Sequence, residues 1–133
     1  MINVLLADDH GVVRDALCYL LEAQGDIKII ATAKDGQDAL EQAMRLCPDV
    51  AVMDISMPRM DGLKAAKEIS ILCPRTRIVM LTIFNSREYI DQALSAGAHG
   101  YVLKDSAGKE LVEAVRTLYA GGHYFSKKIS DRS

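Results

Sequence analysis

The sequence is poor in several features that mark particular classes of protein. Its 133 residues include three cysteines, three prolines and no tryptophan. Because the number of cysteines is odd and no C-x-x-C pair occurs, a disulfide framework and a zinc site are both disfavoured. No apolar run approaches the roughly 18 residues of a membrane span, and no basic leader with an apolar core opens the chain. We therefore expect a cytoplasmic protein without a membrane segment.

The chain also lacks an excess of charge of either sign. Sixteen basic and 18 acidic residues give a formal net charge of −2, so no overall field attracts nucleic acid or anionic lipid. Any contact with DNA would have to come from a domain outside this chain. Hydrophobic residues make up 50% and charged residues 26%, the composition of one ordinary globular domain.

Apolar runs of strand length alternate along the chain with segments of helical period. Each run is followed by apolar residues spaced three or four apart, as on one face of a helix. Five such units, with nearly continuous apolar strands, indicate a parallel sheet covered by helices on both faces. The prediction is an α/β fold, a doubly wound sheet of five parallel strands in the order 2-1-3-4-5 with five helices. The predicted strands are 4–7, 27–33, 50–53, 78–81 and 100–103.

Several residues between these elements are predicted to begin or end helices. Asp61 precedes the third helix, Asn85 the fourth and Ser106 the last. Leu46-Cys47-Pro48 and Leu72-Cys73-Pro74, 26 residues apart, end two helices alike, because proline cannot continue a helix. This repeated tripeptide predicts a repeated structural unit and no chemistry. The cysteines are predicted to be small, half-buried hydrophobic residues.

Acidic side chains end two strands that the predicted sheet places side by side. Asp8 and Asp9 follow the first strand and Asp54 ends the third, so three carboxylates would converge where ligands bind in open sheets. Two unit charges about 4 Å apart repel by about 4 kcal/mol at an effective dielectric constant of about 20, so a cation is expected. Oxygen ligands favour Mg²⁺, whereas His10 is interpreted as a solvent-facing or capping residue. One of Asp8 and Asp9 could instead cap the following helix.

Two further polar residues follow strand ends at the same edge. Thr82 ends the fourth strand and Lys104 follows the fifth. A threonine in a strand or a lysine after one is common and is weak evidence by itself. A carboxylate cluster with a hydroxyl and an ammonium beside it, however, can bind a phosphoryl group. Asp54 lies on the strand between those of the aspartate pair and Thr82. We therefore expect Asp54 to be the nucleophile that forms an aspartyl phosphate.

Together these residues resemble the receiver domains of bacterial two-component response regulators. The stretches LLADDHGVVRDAL, ALSAGAHGYVLKD and LYAGGHYFS are similar to the branch with a LuxR-type helix-turn-helix DNA-binding domain, the NarL/FixJ-like regulators. The resemblance runs from Asn3 to about Tyr119 and implies the flavodoxin-like receiver fold. The matching residues are Asp8 and Asp9, the stretch 54–62 (DISMPRMDG), Thr82, Tyr101 and Lys104.

The resemblance implies a signalling protein and not an enzyme, beyond its own phosphoryl transfer and slow autodephosphorylation. Asp8, Asp9 and Asp54, with the backbone carbonyl of Ser56, would hold Mg²⁺ while a sensor histidine kinase or a small phosphodonor phosphorylates Asp54. Phosphorylation would favour a homodimer and control transcription through a DNA-binding domain that these residues do not include.

The same resemblance implies a switch beside Asp54. Thr82 would move toward the phosphoryl group, Lys104 would pair with it, and Tyr101 would turn into the space that Thr82 leaves. Tyr101 could equally be a plain core residue. Asp105 departs from the family pattern, because most receivers have proline after the lysine, so the Lys104–Asp105 bond could be cis or trans. Asp105 could also hold Lys104 away from the site until phosphate arrives.

Three other functions are compatible with parts of the pattern. A flavodoxin-like electron carrier would need a phosphate-binding loop rich in Ser, Thr and Gly, where Asp9-His10-Gly11 stands. A phosphohydrolase that works through an aspartyl phosphate would need a second aspartate at the position of Ser56 and a substrate cap. An interaction module that has lost phosphorylation would not need the full set of site residues, all of which are present.

The predicted receiver domain occupies residues 1–120. Residues 121–133 are short and polar, with Lys127, Lys128 and Arg132, and are predicted to be a tail or the start of a linker. They cannot supply the three or more helices of a DNA-binding domain. Either an output domain has been removed or the protein is a stand-alone receiver.

Overall fold

The computed structural model describes residues 1–130 and contains six strands within them. Their bounds are β1 (Ile2–Ala7), β2 (Ile27–Ala33), β3 (Val50–Asp54), β4 (Arg77–Thr82), β5 (Gly100–Leu103) and β6 (Tyr124–Phe125). The helices are α1 (Gly11–Glu22), α2 (Gly36–Leu46), α3 (Gly62–Leu72), α4 (Arg87–Ser95), α5 (Ala107–Tyr119) and α6 (Lys127–Ser130), with a 3₁₀ turn at Lys104–Ser106. Within the described range, no helix is long and apolar enough to cross a membrane.

The strands form one parallel sheet in the order β2-β1-β3-β4-β5-β6. The predicted order of the first five strands is confirmed, but the predicted numbers of strands and helices are each one too low. The missed elements, β6 and α6, lie where the sequence predicts a tail. They have two and four residues, too few for a hydrophobic period to reveal them. Residues 131–133, the end of that predicted tail, lie outside the described residues.

Two apolar layers cover the two faces of the sheet. Helices α2, α3 and α4 pack on one face, and α1 and α5 pack on the other. The alternation along β4 is typical: Ile78 and Met80 face the first layer, Val79 and Leu81 the second. Because both faces of the sheet are covered by helices, polar side chains can cluster only at the ends of the strands. Asp8, Asp54 and Thr82 lie at the carboxyl ends of theirs.

Three helices begin at a side chain that accepts a backbone N–H. Asp35, Asp61 and Ser86 each accept the N–H three residues further on. The prediction for Asp61 is confirmed, whereas the prediction for Asn85 is wrong by one residue, because Ser86 caps α4. Ser106 precedes α5 as predicted, but its hydroxyl contacts a side chain, at 3.2 Å, and caps no backbone group.

The segment 124–130, here called the C-terminal clasp, is tied to the sheet through a buried carboxylate. The Ser126 hydroxyl accepts the Leu103 N–H at 2.9 Å and donates to Glu110 Oε1 at 2.5 Å. The other oxygen of Glu110 accepts the Lys127 N–H at 3.1 Å. Since a buried carboxylate without donors is costly, these bonds hold the clasp beside β5 and the start of α5.

Candidate functional site

The carboxyl ends of β1 and β3 bring three carboxylates and one imidazole into an acidic cluster. One ligand atom from each of Asp8, Asp9, His10 and Asp54 lies within 4.8 Å of the others. The two strands are hydrogen-bonded neighbours, so the expected convergence is present. His10 is exposed and directly precedes α1, as interpreted from the sequence, and it also borders the carboxylates. Its Nδ1 lies 3.1 Å from Asp9 Oδ1 and 3.3 Å from Asp8 Oδ1, although the side chain is exposed.

Asp8 is fully buried, and its two oxygens differ in their surroundings. Oδ1 accepts the His10 N–H at 2.8 Å. Oδ2 accepts no hydrogen bond and lies 3.3 Å from Lys104 Nζ, without the alignment that a hydrogen bond requires. A buried carboxylate oxygen without a donor is rare and has a free position for a ligand. With three aspartates as oxygen donors, this environment fits a hard divalent cation such as Mg²⁺.

Lys104 reaches into the acidic cluster from the turn after β5. Its Nζ donates to Asp54 Oδ2 at 2.8 Å. Burial opposes the charge of this ammonium, but the hydrogen bond to Asp54 and the attraction of Asp54 and Asp8 outweigh burial and raise the pKa of Lys104. The lysine is therefore charged at neutral pH.

Asp54 is 3% exposed, and for its pKa burial outweighs the neighbouring positive charge. Burial is the largest effect and, with the negative charge of Asp8, raises the pKa of Asp54 above its ordinary value. The Lys104 ammonium and the Ser56 N–H, which donates to Oδ1 at 3.1 Å, counteract only part of that rise. One lysine thus cannot neutralise three carboxylates. Three ionised carboxylates and one ammonium leave two negative charges in excess, which a divalent cation would neutralise.

The loop after Asp54 is fixed by close backbone contacts. The Gly62 N–H donates to the Ile55 carbonyl at 2.8 Å, and Asp61 caps α3. A Cβ at position 62 would lie 1.9 Å from the carbonyl oxygen of Asp54, so only glycine fits. The Asp61-Gly62 pair therefore allows α3 to begin directly against the backbone of Asp54.

An ion pair between this loop and α2 was not predicted from the sequence. Arg59 donates to both carboxylate oxygens of Asp35, from Nε at 3.0 Å and from Nη2 at 3.1 Å. These hydrogen bonds, with that from the Asp38 N–H, hold the pKa of Asp35 below its usual value. The backbone of Arg59 is left-handed, with φ 65°. The sequence contains one signal for the position of Asp35: the pair Asp35-Gly36 repeats the pair Asp61-Gly62, at which α3 begins.

Thr82 and Tyr101 connect the edge of the sheet to the β4–α4 loop, residues 83–86. Thr82 lies one position beyond the residue paired with Asp54, and its Oγ1 accepts the Phe84 N–H at 3.0 Å. The Tyr101 hydroxyl donates to the Phe84 carbonyl at 2.5 Å. Burial raises the pKa of Tyr101 to about 12, offset in part by the neighbouring Thr82 hydroxyl. Both buried side chains therefore hold the same loop residue.

Asp105 does not hold Lys104 away from the cluster, and that prediction is wrong. Lys104 contacts Asp54 directly, whereas Asp105 accepts a hydrogen bond from Lys128 Nζ of the C-terminal clasp at 2.9 Å. The 3₁₀ turn explains the difference, because successive side chains in such a turn point in different directions. The Lys104–Asp105 peptide bond is trans, like the other peptide bonds of the described range.

Comparison with known proteins finds a matching family model and similar proteins. Residues 4–116 match the family model described as the response regulator receiver domain. The chain is similar to the uncharacterized transcriptional regulatory protein YxjL of Bacillus subtilis, with 43% identity over 93% of this chain and 57% of that protein. Its identity to the oxygen regulatory protein NreC of Staphylococcus epidermidis is 41%, over 96% of this chain and 59% of that protein. The chain thus spans less than two thirds of the length of these relatives.

A solved structure extends the similarity to the whole described fold. The crystal structure of a LuxR-family two-component response regulator from Aurantimonas superposes with a TM-score of 0.94 at 31% identity. The match covers 98% of this chain and 94% of that one. Fold, acidic cluster and sequence similarity therefore lead to one family.

Proposed function

Because this chain belongs to the receiver domain family of NarL- and NreC-type two-component response regulators, we propose that its Asp54 accepts a phosphoryl group from a histidine kinase. The observation that carries the proposal is the position of Lys104, whose ammonium lies 2.8 Å from Asp54 and 3.3 Å from Asp8. A cation beside a buried carboxylate with a raised pKa is a suitable acceptor environment for a phosphoryl group.

In this proposal, Asp8, Asp9 and Asp54, with the backbone carbonyl of Ser56, would hold Mg²⁺. When bound there, Mg²⁺ attracts the phosphoryl oxygens and offsets their charge. Two observations on the chain support the assignment: Asp8 Oδ2 is buried without a hydrogen bond, and the cluster has two negative charges in excess. The exposed His10 borders the same carboxylates, with Nδ1 3.1 Å from Asp9 Oδ1.

The transfer itself needs one bond to form and one to break. An Asp54 oxygen bonds to phosphorus as the phosphorus–nitrogen bond of the kinase phosphohistidine breaks, and the released imidazole nitrogen takes a proton from solvent. Lys104 Nζ then exchanges its contact with the Asp54 carboxylate for a phosphoryl oxygen. The Thr82 hydroxyl donates a hydrogen bond to a second phosphoryl oxygen.

A phosphoryl group on Asp54 would also change the β4–α4 loop. If the Thr82 side chain moves toward that group to donate to it, its hydroxyl oxygen leaves the Phe84 N–H, which is one of the two bonds that hold Phe84. The Tyr101 hydroxyl holds the other bond and would turn into the space that Thr82 leaves. Since both bonds end on one residue, a local charge change biases the conformation of a whole loop, with a coupling of about 1–3 kcal/mol.

The function of the whole protein is part of the proposal, and the similarity to transcriptional regulatory proteins supports it. Residues 1–120 form the receiver, and the C-terminal clasp leads toward a helix-turn-helix domain that binds DNA in a longer protein. Phosphorylation favours a homodimer and so controls transcription. We place this exchange in the bacterial cytoplasm, because a DNA-binding output must reach the chromosome.

Incubation of the chain with Mg²⁺ and acetyl phosphate tests the proposal. The wild type is expected to gain one phosphoryl group that hydroxylamine removes, as for an acyl phosphate, and Asp54→Asn is expected to gain none. Asp61→Asn is the matched control, because it makes the same change in the same loop and asparagine also caps helices. A phosphoryl group on Asp54→Asn would refute the assignment.

Two rival functions would give different results in the same experiment. A wild type that is labelled neither by small phosphodonors nor by phosphorylated kinases would be an interaction module. Rapid turnover of unrelated phosphate esters would identify a phosphohydrolase. Either result would reject a receiver that uses Asp54.

A further inference from the structure

Cys47 and Cys73 stand at matching positions, each just after a helix and just before a proline, and their sulfurs touch. The two Sγ atoms are 3.4 Å apart, although 26 residues separate the cysteines in sequence. Cys47 follows α2 and is exposed, whereas Cys73 follows α3 and is 5% exposed. The packing of α2 against α3 brings the two thiols together, whereas the sequence alone predicted no chemistry for this repeat.

The backbone holds the two thiols in this arrangement. The buried Thr76 hydroxyl donates to the Pro48 carbonyl at 2.7 Å, which ties together the turns that carry the cysteines. Cys73 Sγ also contacts the Ala43 carbonyl of α2 at 3.4 Å. The sulfurs therefore need to approach by only about 1.4 Å to reach the disulfide length of about 2.05 Å.

Neither packing nor helix capping accounts for the cysteine at position 47. Its backbone is left-handed, with φ 43° and ψ 64°, a conformation that glycine or asparagine adopts at lower cost. Its side chain is exposed, so burial does not explain it either. A metal site is also unsupported, because the only cluster of three or more metal-ligating side chains in residues 1–130 lies at the opposite edge of the sheet.

We propose that Cys47 and Cys73 are a site of reversible oxidation, at which a hydroperoxide converts the two thiols into an intramolecular disulfide between the ends of α2 and α3. Cys47 reacts first, because its sulfur is the accessible one. Burial, with the neighbouring Cys47, raises the pKa of Cys73 to about 11, so Cys73 keeps its proton at neutral pH.

The electrons and atoms balance in two steps. The Cys47 thiolate attacks one oxygen of hydrogen peroxide, the O–O bond breaks, and the leaving hydroxide is protonated to water, which leaves a sulfenic acid. The Cys73 sulfur then attacks Cys47 Sγ, the S–O bond breaks, and hydroxide leaves with the proton of Cys73 as a second water. Two thiols are oxidised by two electrons, which one peroxide receives, and a dithiol returns the pair to the reduced state.

The disulfide would close a loop of the chain that begins after α2 and ends after α3. The segment between the two cysteines includes β3, Asp54, its loop and α3. Closing this segment removes conformational freedom mainly from the unfolded chain, and we expect the melting temperature to rise by roughly 5–10 °C. The site acts independently of phosphorylation, because both sulfurs lie at the amino edge of the sheet, away from Asp54.

One equivalent of hydrogen peroxide added to the reduced chain tests the proposal. The wild type is expected to lose two of its three free thiols, to yield a linked peptide containing Cys47 and Cys73, and to melt at the higher temperature until dithiothreitol is added. Cys18→Ser is the matched control and should form the same link. Cys47→Ser, which changes an exposed residue, should fold normally and show neither the link nor the rise in melting temperature.

Two results would overturn the proposal. One is a wild type that carries sulfinic or sulfonic acid at Cys47 without the Cys47–Cys73 peptide, and the other is a product linked only between chains. A melting temperature that rises equally in Cys47→Ser would also reject it. Acetyl phosphate labelling of Asp54 is measured on the same samples, so failure of the redox site and failure of the receiver assignment are distinguishable.

Discussion

Lys104 donates to Asp54 at 2.8 Å, so the ammonium that would bind a phosphoryl oxygen is already paired with the carboxylate that would receive it. The same ammonium lies 3.3 Å from Asp8. A cation and a phosphoryl group would therefore compete with Lys104 for the same oxygens. We expect removal of the lysine to have opposite effects on folding and on metal binding.

Lys104→Met is expected to destabilise the metal-free chain by about 1–3 kcal/mol, because it leaves the buried Asp8 and Asp54 without their cation, while water still reaches the site beside the partly exposed Asp9. The same change should tighten Mg²⁺ binding, since the cluster becomes more negative. Urea unfolding with chelator and with Mg²⁺ measures both effects. Lys128→Met, which removes an exposed ammonium paired with Asp105, should change neither.

Gly62→Ala is expected to destabilise the fold by about 3 kcal/mol or more, because its methyl group would lie 1.9 Å from the Asp54 carbonyl oxygen. The displaced backbone should also weaken Mg²⁺ binding. Gly108→Ala is the control, because a Cβ there meets no atom within 4 Å and the residue is in α5. It should stabilise by about 0.5–1 kcal/mol, and equal effects of the two changes would contradict the close approach.

The Arg59–Asp35 pair predicts a defined dependence on pH. The pKa of Asp35 is lowered in the folded state, so the pair contributes stability above the ordinary aspartate pKa of about 3.9 and loses it as pH falls through the lower folded value. Arg59→Met should therefore be less stable than wild type near neutral pH, and the difference should shrink in acid.

Denaturant unfolding across the acid range, with carboxyl titration of Asp35 by NMR, checks this dependence. Arg116→Met is the matched control, because Arg116 makes a similar pair with Asp26 far from the Asp54 loop. Only Arg59→Met should also slow labelling of Asp54. A stability difference that grows in acid would contradict the assignment.

In the C-terminal clasp, loss of a buried polar group should reduce folding stability more than loss of an exposed one. Ser126→Ala should destabilise the chain by about 1–3 kcal/mol, because it removes the donor to the buried Glu110 and the acceptor for Leu103. Asp105→Asn should have no measurable effect on folding, since its contact with Lys128 is exposed. Hydrogen exchange at Leu103 separates loss of the clasp from global unfolding.

Tyr101→Phe should cost about 1 kcal/mol, because it removes the hydroxyl bond to the Phe84 carbonyl and keeps the buried ring. Labelling of Asp54 should persist, while the loop 83–86 exchanges amide hydrogens faster. Tyr19→Phe, at an exposed position on α1, is the control and should alter neither. If Tyr101→Phe leaves loop exchange unchanged, the hydroxyl does not hold the loop.

The sequence by itself determined the α/β class, the order of the first five strands and the residues that end each strand. The elements and the residues at their ends are local properties, because each hydrophobic period lies within a single segment. The strand order is not local, and its prediction depended on the order that is common among doubly wound sheets. Once the sheet order was known, Asp8, Asp9 and Asp54 had to meet at one edge. Their roles in phosphorylation stay predictions until the labelling experiment is done.

Only the tertiary structure decided which of these side chains contact one another. Lys104 pairs with Asp54 and not Asp105, Arg59 binds Asp35, and Cys47 touches Cys73. Each contact joins segments more than 20 residues apart and depends on how helices and loops pack on the sheet, which no local pattern encodes. The two-residue β6 was missed for the same reason, because its pairing with β5 is its only signal.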